Sequence, residues 1–126
     1  MPPKSIRFSQ KARDQLALLK RYTKIEHFNV LARWAICTSL AEKAPAPDAH
    51  IPSDSNLEMT WDVFGGRHAE TIWALVKQRC RDEGLTLTDD ECAKQLRLHL
   101  HRGISYLAGD RRMRSIESLL ETAAAK

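Results

Sequence analysis

Cysteine, glycine and long apolar runs are all scarce in this sequence. The three cysteines, Cys37, Cys80 and Cys92, are an odd number and contain no C-x-x-C pair, so they supply neither a disulfide framework nor a zinc-type spacing. Two of them fall on apolar faces of predicted helices, and all three are expected to be reduced core residues. No stretch approaches the ~18 apolar residues of a membrane span. The opening MPPKSIRFSQ has no apolar segment of the signal type, so a cytoplasmic protein without membrane association is expected. Only five glycines and five prolines occur among 126 residues that are 43% hydrophobic and 29% charged, which excludes fibrous and disordered classes. The length suits one domain with a real core and is too short for two of ordinary size. Residues 1–126 are therefore read as a single domain.

What the chain does have is unevenly placed charge. Residues 1–33 hold eight basic side chains (Lys4, Arg7, Lys11, Arg13, Lys20, Arg21, Lys24 and Arg33) against Asp14 and Glu26, a local charge of +6, while the remainder carries −2. Such asymmetry points to a polyanion, of which nucleic acid is the commonest. A solvated basic face is the plainer alternative.

The hydrophobic periods predict a mainly α, compact helical domain of about five helices with one or two short strands. SIRFS is a short extended piece. Ser9 is the predicted N-cap of a first helix on the stripe Ala12, Leu16 and Leu19. TKIE, residues 23–26, has the form of a capping box opening a second helix, EHFNVLARWAICTSLAE. That helix is apolar on nearly every side, so it must be buried on nearly every side, and a homo-oligomer is expected. Residues 43–56 carry three of the five prolines and read as an exposed loop. LEMTWDVF alternates as a half-buried strand. Gly65-Gly66 ends it, a third helix runs from about Arg67 to Glu83 with Gly84 as its stop, and TDDE, residues 88–91, caps a helix on the stripe Ala93, Leu96, Leu100, Ile104 and Leu107. A last helix is predicted over about 112–124.

LRLHLHRG tests for a metal or catalytic pair. Residues two apart on a helix lie about 200° around the axis, so His99 and His101 cannot share one ion; each is expected to be a surface or interface histidine. DVFGGRHAE matches neither common phosphate-loop spacing and reads as a sharp turn, although Arg67 and His68 are placed to meet a phosphate. Cys37 sits where a thiolate is disfavoured. Asp89, Asp90 and Glu91 cap a helix. The basic residues are the best functional signal: Lys20, Arg21 and Lys24 bracket a helix-helix turn, Lys4, Arg7 and Lys11 lie nearby in sequence, and RRMR, residues 111–114, is a smaller cluster. Contacts from such groups give salt-dependent affinity and no base reading.

The order RFSQKARDQLALLKRYT, NVLARWAICTSL, a polar loop, TWDVFGG and LHLHRGISYL resembles the DndE family of DNA sulfur modification proteins. The resemblance spans almost the whole chain. It implies a small, mainly helical homotetramer without cofactor or catalytic residues, an accessory subunit of a phosphorothioation complex. Such a subunit binds duplex DNA, nicked duplex preferred, and acts with a sulfurtransferase, an ATPase and a cysteine desulfurase. Lys4, Arg7, Lys11, Lys20, Arg21, Lys24 and Arg67 are the expected DNA contacts. Two rivals stand beside it. A ribbon-helix-helix regulator would read DNA with Arg7 and Ser9. A nicking nuclease would require His68, His99 or His101.

Overall fold

Ser9 begins the helical part of the chain, as its sequence position predicts, in a computed structural model that describes residues 1–110. Its hydroxyl accepts from the Ala12 N–H at 3.0 Å and caps α1 (Gln10–Thr23), which buries Ala12, Leu16 and Leu19. Just before it, β1 (Ser5–Arg7) pairs antiparallel with β2 (Glu58–Thr60), Ile6 opposite Met59. Main-chain bonds from Phe8 N to Leu57 O and from Trp61 N to Lys4 O extend the ladder at both ends. Between these strands lies α2 (Phe28–Ala41). After them come a single-turn α3 (Trp61–Gly65), a 3-10 turn (Gly66–His68), α4 (Ala69–Asp82) and α5 (Asp89–Gly109). The described residues thus form a mainly α fold with one two-stranded sheet.

The core joins Phe8, Leu16 and Leu19 to Leu31 and Ile36 of α2, Phe64, and Leu96, Leu100 and Ile104 of α5. α5 reaches α2 closely because of Gly103. A Cβ at that position would stand 1.8 Å from the Ala35 carbonyl oxygen, so the two backbones are nearly in contact. Thr88 caps α5 by accepting from the Glu91 N–H at 3.2 Å, with Asp89, Asp90 and Glu91 filling the first turn, where acidic groups are favoured by the helix dipole. Gly84 takes φ 72° after α4, and Leu85 N donates to Cys80 O, a Schellman-type stop.

Five expectations change. LEMTWDVF is a strand only over Glu58–Thr60, because the Thr60 hydroxyl accepts from Val63 N and starts a helical turn. That turn packs Trp61 on both Phe64 and Trp73, with ring centroids 5.5 and 5.9 Å apart, whereas a strand would send positions 61 and 64 to opposite faces. TKIE is not a capping box: Thr23 is buried in the last turn of α1, donates to Leu19 O and accepts from Ile25 N, and α2 starts at Phe28. The third predicted helix begins at Ala69, behind the 3-10 turn. Cys37 is exposed rather than in the core, on an outer strip of α2 shared with the half-buried Val30 and Trp34. His99 and His101 are buried, not surface residues. The helix predicted over 112–124 and the RRMR cluster lie outside the described residues.

The buried histidines are explained by their partners. His101 accepts from Ser9 N through Nε2 at 3.2 Å and donates through Nδ1 to Arg97 O at 2.9 Å, which fixes one neutral tautomer. The Ser39 hydroxyl accepts from Arg102 Nε and donates to His99 Nδ1, each at 2.8 Å. His99 Nε2 has no partner among the described residues. Burial, then the neighbouring Arg102 and Arg79 charges, push its pKa down to about 4. Burial lowers that of His101 too.

Two outcomes follow from this packing. Gly103→Ala should cost about 2–3 kcal/mol or more by overpacking, whereas Gly109→Ala, with open space around it, should change stability by less than about 1 kcal/mol; thermal melts compare the two. Because His99 resists protonation in the folded state, its contribution is fully present above the unfolded histidine pKa near 6.5 and is lost as pH falls from 6.5 towards 4. Urea unfolding at pH 7.5 and pH 5 should therefore show a loss of roughly 1–3 kcal/mol at the lower pH.

Candidate nucleic-acid interface

α1 ends on a basic turn. Lys20 and Arg21 occupy its last turn, where the helix dipole favours cations, and Lys24 follows as the C-cap with φ 63°, its N–H donating to Lys20 O. Among the described residues Lys24 is the only non-glycine residue with positive φ. That backbone costs an ordinary side chain roughly 1 kcal/mol that glycine would avoid. All three side chains are exposed. No carboxylate among the described residues stands within ion-pair distance of Lys20, Arg21 or Lys24, although Glu26 lies close in sequence. The Lys20 ammonium sits over the Phe28 ring, 5.7 Å from its centroid. Lys20, Glu26, His27, Phe28, Asn29 and Val63 line a shallow cleft of about 270 Å³ beside the turn.

The far side of that cleft carries α3. Arg33 donates to the carbonyls of Val63 at 3.3 Å and Phe64 at 2.9 Å, and Asn29 Nδ2 also donates to Val63 O. These bonds hold the glycine turn in place: Gly66 takes φ 53°, and its N–H donates to Asp62 O. Arg67 and His68 follow immediately, both exposed, with Arg67 Nε 3.5 Å from His68 Nε2.

The expected contacts do not form one patch. Lys4, Arg7 and Lys11 lie at the other end of α1. Arg7 is already paired, to the Glu58 carboxylate at 2.8 Å and the Ser55 carbonyl at 3.0 Å, and β1 pairs with β2 of the same chain. Lys11 is nine residues before Lys20, half a turn out of phase. Arg13, exposed and unpaired by any carboxylate among the described residues, was not among the expected contacts. It precedes Lys20 by seven residues and so shares its face; that spacing was the available signal.

Other cations are spent inside the fold. Arg97 donates to the carbonyls of Ile51, Pro52 and Arg7 and to the Ser53 hydroxyl, and burial lowers its pKa. Arg102 donates to Ser39 O and Ala44 O. Arg79 donates to Leu40 O, Glu42 O and Ala44 O and pairs with Glu83 at 2.6 Å. Together these guanidinium groups hold the proline-rich 43–56 loop and its approach. Among the described residues no group of three His, Cys, Asp or Glu side chains is gathered to hold a metal, and no helix is long and apolar enough to cross a membrane. Burial raises the pKa of the Cys37 thiol, and that of Cys80 goes up to about 12 through burial and then neighbouring Cys92. Neither is prepared as a thiolate.

A family model described as DNA sulphur modification protein DndE matches residues 5–115. Among solved structures, DndE from Escherichia coli B7A, involved in DNA phosphorothioation modification, has a TM-score of 0.69 at 24% identity, over 85% of this chain and 99% of that one. A mutant DndE involved in DNA phosphorothioation gives 0.65 at 20% identity, over 84% and 99%. At such identities the two structures speak for the fold. No curated protein matches the chain.

Arg97→Ala should free the 50–55 segment: faster amide hydrogen exchange there, and a stability loss of roughly 1–3 kcal/mol from carbonyls left without donors. Arg97→Lys should recover only part, since one ammonium cannot replace the fork.

Proposed function

The chain belongs to the DndE family of DNA sulphur modification proteins, and from that premise we propose that it is the accessory subunit that holds duplex DNA in a phosphorothioation complex. In this reading the basic turn meets phosphates, nicked duplex is preferred, and the subunit itself performs no chemistry. The observation that carries it is Lys24: a cation kept on a left-handed backbone, beside Lys20 and Arg21, with no carboxylate among the described residues to neutralise the group. A residue that costs conformational energy where glycine would not is a mark of function.

In this reading the contacts are of unequal weight. Lys20, Arg21, Lys24 and, in the turn that follows α3, Arg67 are the primary set, with Arg13 added on the same face of α1. Lys4 and Lys11 serve a second copy or a more distant phosphate. Arg7 is held by Glu58 and contributes least. The outer strip of α2 with Val30, Trp34 and Cys37 is the surface through which copies of the chain assemble, as a tetramer. Such assembly multiplies the basic turn around one duplex. Sulfurtransferase, ATPase and cysteine desulfurase components are the partners in the cytoplasm, and no cofactor is needed for a purely electrostatic role. His101 is bonded through both ring nitrogens and His99 through Nδ1, and both rings are buried, which weighs against using either as a nuclease base.

Binding of intact, nicked and single-stranded DNA at two salt concentrations tests this. A Lys20→Ala, Arg21→Ala, Lys24→Ala triple variant should lose at least about tenfold in affinity. Its salt dependence should flatten by up to about 0.9 per phosphate contact removed. An unchanged slope, or a preference for one intact sequence, would count against the reading.

A further inference from the structure

A second cavity, of about 610 Å³, opens between the first turns of α1, the proline-rich loop and the last turns of α5. Its volume lies in the range of small-ligand sites. We propose that it takes one unpaired nucleotide of DNA, its base against the proline wall and Tyr106 and its phosphate at Lys11. The choice of a nucleotide as occupant rests on the DNA-binding reading above; the site is a different surface from the basic turn.

Four features of the lining support this occupant. Pro45, Pro47, Pro52 and Ile51 supply apolar lining beside His50, and the apolar part suits the flat face of a base. Tyr106 lies at the opening, 45% exposed, with the Arg102 guanidinium 5.6 Å from its ring centroid. Arg102 is immobilised by its bonds to Ser39 and Ala44, so the aromatic ring and the guanidinium form a fixed stacking platform of the kind that takes splayed bases. Lys11 is exposed on the rim, and no carboxylate of the described residues pairs with it, so a phosphate would supply its missing counter-charge. The acidic group in the lining, Asp54, is directed at the start of α1, where one oxygen accepts from Gln10 N at 2.8 Å. Gln15 and Ser105 offer polar atoms for the edge of a base, and the floor is rigid because His101 is bonded through both ring nitrogens.

This site gives nick preference a structural cause that phosphate contacts lack. An intact duplex keeps its bases stacked, while a strand end at a nick can release one at lower cost.

The test uses the full chain and two probes: deoxyguanosine 5′-monophosphate, and nicked duplexes with or without one unpaired guanosine at the nick. The monophosphate should bind saturably and inorganic phosphate much more weakly. Tyr106→Ala should weaken it by about tenfold or more, Tyr106→Phe should keep the stacking, and both variants should melt like the parent. The duplex with the unpaired base should bind more tightly than the flush nick, and Tyr106→Ala should abolish that difference. Absence of monophosphate binding, equal binding of phosphate, or indifference to Tyr106→Ala would overturn the proposal. So would monophosphate binding with no advantage for the unpaired duplex. The Lys20, Arg21 and Lys24 triple variant separates the two readings, because its salt slope reports on the basic turn and its monophosphate affinity on the cavity.

Discussion

At Gly103 the backbone of α5 lies against the backbone of α2, and the position of nearly everything else is set by that contact. Any side chain there would meet the Ala35 carbonyl. With the two helices this close, Ser39 falls beside His99 and Arg102, and Arg102 reaches past the end of α2 to the Ala44 carbonyl. On the same helix Arg97 reaches the other side of the loop. His101, between them, fastens the junction of β1 and α1. One close approach therefore aligns a polar seam along α5 of buried histidines and half-buried arginines, bonded throughout except at His99 Nε2, and such a network is costly to disrupt.

The seam also explains why net charge is a coarse guide here. The chain is +4 overall, yet arginines 33, 79, 97 and 102 donate to main-chain carbonyls and are held in place within the fold. Arginine suits that work because its planar fork satisfies several acceptors without losing its proton. The cations left to the surface near α1 are mostly lysines, which hold a diffuse ionic contact and remain hydrated. Near α1, the exposed cations without a carboxylate partner among the described residues are Lys4, Lys11, Arg13, Lys20, Arg21 and Lys24.

Much of the fold was legible because it follows from local rules. Ser9 and Thr88 cap as their positions predict, Gly84 stops α4, and the stripes of α1, α4 and α5 are buried apart from the half-buried Ala69 and Ala93. Errors arose where one residue served two patterns. Thr23 has the sequence of a capping box and the structure of a helix-end residue that bonds backward. Trp61 and Phe64 fit an alternating strand, but their rings meet only when the chain turns. His99 and His101 looked polar on a wheel that has no knowledge of Ser39 and Ser9, residues 60 and 92 positions away. The basic turn was visible in the sequence. What was not visible is that Arg7 already has a carboxylate and that Lys11 faces a different surface.

The way the 43–56 loop is held has a consequence for how this protein can change. Arg79, Arg97 and Arg102 grip the loop region almost wholly through carbonyl oxygens, and every residue type carries one. The grip therefore does not depend on which side chains the loop presents. Substitutions along it can reshape the wall of the neighbouring cavity while the backbone stays where it is. Clamp and lining are separable, so ligand preference can drift without unfolding the scaffold that supports it.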